Sequence, residues 1–353
     1  MKRTNAFGLA SLLLAAVLTG CGQKEIVCEI VCDTDHAVVI DPSGAGIFAQ
    51  ITLEQPPLML KNHIEIPGDG SLYLFDRDRL YRYSLDDGRQ EMAYGQRGRA
   101  KNEYVSIWDF WLDGADLWIY DIDGQKVLCY APDGTVKAVR ENPGGGEGFQ
   151  QLVRLDPEHW IGKCNFRDIQ GEGATPELAL FDNEFQFLQP VGEETLRSGM
   201  TTWYHFCPDA KGVLYCGPLS DKIWRVTETD RQLLYKVKFL DGAMKPENYP
   251  DEYQQLSDIV AKLESQSFSF NIVGLSMSGS YLGFNYQSSR KGKMFALYDT
   301  AKDETYCFDV DLPEPWQLNS GYVVGDKVYF VAFSDEDGVK VFSAKTKELI
   351  NEK

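Results

Sequence analysis

Long apolar runs, histidine, basic charge and helix signals are all scarce in this chain of 353 residues. The apolar run at its start, residues 6–18, has 13 residues, short of the roughly 20 that carry a helix across a bilayer. Only four histidines occur, at 36, 63, 159 and 205. They show no ligand spacing, and no Cys-x-x-Cys is present, which argues against a structural zinc site. There is no Gly-x-Ser-x-Gly nucleophile elbow. Residues 143–148 (Pro-Gly-Gly-Gly-Glu-Gly) lack the Lys-Ser/Thr of a phosphate loop. Asp121-Ile-Asp123-Gly124 lacks the third acid and closing Glu of a calcium loop. No cofactor or metal is therefore expected. Lysine and arginine number 35 against 53 acids, a formal net charge of −18. So acidic a body is repelled by nucleic acid and by anionic head groups.

What the chain does have begins at its N-terminus. Lys2 and Arg3 precede the apolar run, and Leu18-Thr19-Gly20-Cys21 closes it. Basic start, short apolar core and small-residue cleavage site are the order of a secretory signal. Leu-x-Gly directly before a cysteine resembles the bacterial lipobox, in which the thiol is lipidated and becomes the new N-terminus. The resemblance implies a leader over residues 1–20, a lipid on Cys21 and a body of net charge −20 once Lys2 and Arg3 are lost. Residues 21–55 are expected to be a tether with a lead-in strand. The place implied is the cell envelope, on an outer-membrane lipoprotein facing the periplasm or the outside. Of the other cysteines, Cys129 and Cys307 lie in strand-like apolar runs, and Cys207 and Cys216 flank a hairpin turn that a disulfide could bridge.

From residue 72 onward the chain repeats. Leu72-Tyr-Leu-Phe-Asp76 leads to Leu80-Tyr-Arg-Tyr83, and Leu117-Trp-Ile-Tyr-Asp121 leads to Val127-Leu-Cys-Tyr130, at an offset of 45 residues. Weaker copies start at Trp160, Leu214, Leu282 and Val328. Each is a pair of short strands rich in aromatic and β-branched residues, with Asp-Gly turns at 87–88, 123–124, 133–134 and 337–338. One step, from Leu214 to Leu282, is long at 68 residues. Within it Tyr253, Leu256, Val260 and Leu263 share one helical face, so a helix is expected near 250–265, inserted between units. Six units of 40–50 residues predict an all-β, six-bladed β-propeller over residues 56–353. Packing blades radially buries both faces of each sheet, which a lone blade cannot do.

The stretch Tyr94-Gly-Gln-Arg-Gly-Arg-Ala-Lys-Asn-Glu-Tyr104 resembles the link between blades one and two in a family of six-bladed propeller lipoproteins from anaerobic gut bacteria. That family has Gly-x-x-Gly-x-Gly-Pro-Gly-Glu followed by Phe or Tyr. Gly95, Gly98, Glu103 and Tyr104 match, while Ala100, Lys101 and Asn102 replace Gly-Pro-Gly. The resemblance implies fold and place. The family has no agreed biochemical activity, so no catalytic residues come with it.

Connections between blades are long, at 95–104, 141–151, 190–202, 241–267 and 312–320, and in a propeller they cross one common face. Loops on a rigid scaffold are where binding resides. The candidate binding residues are therefore Arg97, Arg99, Lys101, Glu103 and Tyr104 of the first link, Trp203, Tyr204 and His205 before blade four, and Trp316 before blade six. Guanidinium suits carboxylate or phosphate, and flat aromatics suit sugar rings. The expected function is a monomeric, non-enzymatic lipoprotein that binds a protein, peptide or glycan on this face. The alternative is a propeller hydrolase or lyase acting on glycans.

Overall fold

The structure is a computed structural model and describes residues 27–44, 46–57, 63–75, 79–141, 143, 149–164, 178–191, 205–217, 220–244 and 268–352. Cys21, Trp203, Tyr204 and the segment expected to be helical near 250–265 lie outside them. Three strands come first: β1 (Cys28–Cys32), β2 (Val38–Ile40) and β3 (Ala49–Thr52). Blade one is β4 (Ile64–Glu65), β5 (Ser71–Phe75), β6 (Leu80–Ser84) and β7 (Gln90–Tyr94). Blade two is β8 (Ile107–Asp113), β9 (Asp116–Asp121), β10 (Lys126–Tyr130) and β11 (Val136–Glu141). Blade three is β12 (Phe149–Arg154), β13 (Trp160–Cys164), β14 (Leu178–Phe181) and β15 (Phe187–Val191). Blade four is β16 (His205–Asp209), β17 (Gly212–Cys216), β18 (Lys222–Val226) and β19 (Arg231–Phe239). Blade five is β20 (Ser269–Ser278), β21 (Tyr281–Ser288), β22 (Gly292–Asp299) and β23 (Glu304–Val310). Blade six is β24 (Gln317–Val324), β25 (Lys327–Ser334) and β26 (Gly338–Lys345), followed by the short helix α1 (Thr346–Asn351).

The six-bladed expectation holds, and each repeat read from the sequence is the second and third strand of a blade. Those strands read as unbroken apolar runs because both faces are covered: β5 and β10 are buried at every position. The core divides into six apolar clusters, one at each interface between neighbouring blades. A ring of six sheets has six interfaces only when it is closed.

Closure comes from the N-terminus. β3 pairs antiparallel with β26, Ile51 opposite Val341, and supplies the fourth strand of blade six. β1 and β2 add fifth strands, parallel to β19 and β23, on the outer edges of blades four and five. Residues 28–52 are thus built into three successive blades, and Ile30, Cys32 and Ile40 are buried there. Paired outer edges also remove the open backbone groups that would invite edge-to-edge association. Blades five and six are pinned by Asn285 of β21, which donates to Gly321 O and accepts from Gly321 N of the inner strand β24 at 3.0 and 2.7 Å.

Cys207 and Cys216 are not cross-strand partners: Cys207 stands opposite Leu214 and Cys216 opposite His205. Cys216 instead donates its thiol to Ile272 O at 3.1 Å. Among the described residues, no helix is long and apolar enough to cross a membrane.

Candidate functional site

The first strands of the six blades, β4, β8, β12, β16, β20 and β24, line a central channel of about 500 Å³. Each of them starts at the end of a link between blades, so their N-terminal ends share one mouth. His63, Glu65 and His205 line the channel at that end, while Gly68, Gly114, Ser278 and Gly325 line the other.

His63 organises the mouth. Its Nδ1 donates to Asp109 Oδ1 at 2.7 Å and its Nε2 to Glu65 Oε1 at 2.8 Å, and its ring stacks on Phe110 at 4.6 Å. Asp109 is wholly buried. Burial opposes the charge on His63, but Asp109 and then Glu65 outweigh it and push the imidazole up to about 10. At neutral pH His63 is an imidazolium bridging blades one and two. His205 is driven the other way. Burial, then the positive charges of His63 and Lys293, push it down to about 3, and it stands neutral.

Lys293 stands outside the channel lining, on the third strand of blade five, and its charge acts on His205. It opens β22 on the same side, because it pairs with Gln287 near the end of β21 and Ser288 lies opposite Ser269 at the start of β20. Its ammonium donates to Asn319 O at 2.5 Å, and burial holds the amine below its ordinary range. Among the described residues no carboxylate pairs with it. Lys163, at the same end of blade three, is also held low by burial.

The first link between blades is tightly built. Gly98 N donates to Tyr104 O at 2.8 Å and Tyr104 N to Gln96 O at 3.1 Å. The Glu103 carboxylate turns back to accept from Ala100 N at 2.9 Å. A Cβ on Gly98 would meet Glu103 Oε2 at 1.9 Å, and one on Gly95, at φ +70°, would meet Tyr104 and Tyr130 at 2.6 Å. Lys126 caps the link by donating to Ala100 O at 2.9 Å. Asp121, in the stretch compared with a calcium loop, accepts from the backbone N–H of Val105, Ser106 and Gly124. Its carboxylate is thereby engaged as a turn pin.

The residues singled out from sequence therefore separate. Arg97, Arg99 and Lys101 are exposed on the link, and His205 lies in the mouth. Glu103 is engaged within the link, and Tyr104 is fully buried between blades one and two. Trp316 is packed in the core between blades five and six, 9% exposed, with the Lys340 ammonium 4.0 Å from its ring centre.

His63, Glu65, Asp109 and Lys293 were not singled out. A signal was present: His63 lies nine residues before Leu72, His205 nine before Leu214, Asn319 nine before Val328, and Asp109 eight before Leu117. Aligning the units on their second strands puts these polar side chains of four blades within one residue of a common position in the first strand.

Residues 60–315 match the DUF5128 family, described as a 6-bladed beta-propeller. The chain belongs to this family. Among solved structures the fold is similar to that of a Bacteroides fragilis protein described as exported. That likeness has a TM-score of 0.67 and 17% identity over 91% of this chain and 100% of the other. A member of the DUF4221 family from Bacteroides vulgatus is similar at a TM-score of 0.56 and 9% identity, over 85% and 96% of the two chains. No curated protein sequence matches the chain.

Proposed function

We propose that this propeller is a membrane-anchored, extracytoplasmic binding module that takes an anionic ligand at the link-side mouth of its channel. The observation that carries this is Lys293: an ammonium in a half-buried site, bonded to a carbonyl and, among the described residues, facing no carboxylate. Burying a charge without a counter-charge is costly, and such a site gains free energy when an anion arrives. Exposed Arg97, Arg99 and Lys101 lie on the same side and add positive charge there on a strongly acidic body, while the His63 imidazolium is matched by Asp109 and Glu65. A carboxylate- or sulfate-bearing glycan or peptide suits the mouth.

The two channel histidines favour binding over acid–base catalysis. An efficient general acid or base has a pKa near the working pH. His63 at about 10 and His205 at about 3 stand on either side of that range. They act instead as a fixed cation and a fixed neutral hydrogen-bonding ring.

Anchoring is supported by the order of residues 2–21 and by the exported character of the Bacteroides fragilis relative in fold. Cys21→Ser should move the protein from the membrane fraction to the soluble fraction and abolish the lipid-bearing N-terminal peptide in mass spectrometry. An unmodified N-terminus in the wild type, or unchanged fractionation of the variant, contradicts the anchor.

A further inference from the structure

We propose that Cys32 and Cys307 form a structural disulfide that fastens the N-terminal segment to the ring. Cys32 ends β1 on the outer edge of blade four and is 0% exposed, and Cys307 lies in β23 of blade five and is 7% exposed. Both belong to the apolar cluster between those two blades. Their side chains are in hydrogen-bond contact. The chain path explains the meeting. Cys32 pairs with Phe239 of β19, and six residues later Val38 pairs with Phe308 of β23, next to Cys307. The segment crosses from one blade to the next over the Cys307 side chain.

The surroundings suit the chemistry. Cys307 accepts hydrogen bonds from Cys32, from the Tyr286 hydroxyl and from the Asp33 backbone, and these favour its thiolate over the opposing effect of burial. Both cysteines are thiols in this structure. The bond needs an oxidant, here a small-molecule or protein disulfide of an oxidising compartment. For that oxidant alone the inference rests on the extracytoplasmic reading above. The Cys307 thiolate attacks one sulfur of the oxidant, whose S–S bond breaks and whose other sulfur leaves as a thiolate. The Cys32 thiolate then attacks Cys307 in the mixed disulfide and expels the second thiolate. Two protein thiols lose two electrons, one oxidant disulfide becomes two thiols, and the two protons pass to them. The first attack takes place while the chain folds, before docking of β1 buries Cys307, and docking then brings Cys32 and its hydrogen-bonding surroundings to it for the second.

The bond would join positions 275 residues apart, close the ring covalently through its N-terminal segment, and keep the outer strand of blade four in place. Long closed loops restrict the unfolded chain most.

The test refolds the full mature chain with glutathione disulfide, alkylates remaining thiols after unfolding, and maps peptides. The expected result is one linked peptide pair, containing Cys32 and Cys307 and lighter by two hydrogen atoms, with Cys28, Cys129, Cys164, Cys207 and Cys216 alkylated. Tm should rise by about 5 °C or more over the reduced chain and return on reduction. Cys32→Ala and Cys307→Ala should each abolish the redox-dependent rise. The peptide map is read on the wild type, so poor folding of a variant leaves the test intact. Alkylation of both cysteines, or pairing of Cys32 with another residue, overturns the proposal. If the refolded chain links while chain isolated from its own envelope carries both thiols free, the pairing stands and the extracytoplasmic reading falls.

Discussion

Asp109→Asn is expected to lower Tm by about 5–10 °C and to flatten the alkaline side of the stability profile. Asp109 is fully buried, 2.7 Å from His63 Nδ1. Removing one partner of a buried pair costs about 3 kcal/mol or more, because the other charge is left behind, and that loss translates into the stated shift. The pH dependence follows from the two histidines. The folded-state pKa of His63 is raised from 6.5 to about 10. Its contribution is therefore complete below about pH 6.5 and is lost as pH rises through 10. The folded-state pKa of His205 is lowered to about 3. Its contribution is complete above its unfolded value and is lost as pH falls through 3. The wild type should be most stable near pH 6.5 and weaken on both sides. The Asn variant should lose most of the alkaline slope and keep the acid one. Thermal melts across pH 4–10 check both, and an unchanged alkaline limb in the variant contradicts the His63 pairing.

The largest effect should come from removing residues 27–52. If this segment were a tether, its loss would leave Tm unchanged. In the structure it supplies β1, β2 and β3 to three blades and buries Ile30, Cys32 and Ile40. Each fully buried apolar side chain contributes about 1.5–3 kcal/mol, and the deletion also opens the outer edges of blades four, five and six. The truncated chain should lose its cooperative transition or aggregate, seen by circular dichroism melts and gel filtration. A monomer with the wild-type Tm contradicts the closure described here.

Legibility in the sequence followed burial. The second and third strands of each blade are covered on both faces, so Leu72–Phe75 and Val127–Tyr130 read as plain aromatic and aliphatic runs at a fixed period. The first strands have one face on the channel and mix polar with apolar residues. β4 is only two residues long, and nothing in its local pattern announces it. The N-terminal strands escape the period altogether, because their partners lie some 200 to 300 residues away. The link motif was legible as a motif, but its matching residues proved to be structural. Gly98 leaves room for the Glu103 carboxylate, and Tyr104 fills the space beside Gly95. The mouth was hardest to read, since Lys293 is brought to Asn319 by the pairing of β21 with β22 and by the placing of blade six beside blade five. Asn319 lies 26 residues from Lys293 in sequence.

The central claim, an anion-binding mouth built around Lys293, is tested most directly by native mass spectrometry of the chain isolated in detergent from its own envelope. Wild type is compared with Lys293→Gln. The Gln variant should fold with unchanged or slightly higher Tm, since it removes a desolvated charge. The account predicts an anionic adduct on the wild type, weakened by Arg97→Ala with Arg99→Ala and absent from Lys293→Gln. An adduct retained in full by Lys293→Gln, or a wild type that carries none, would contradict it.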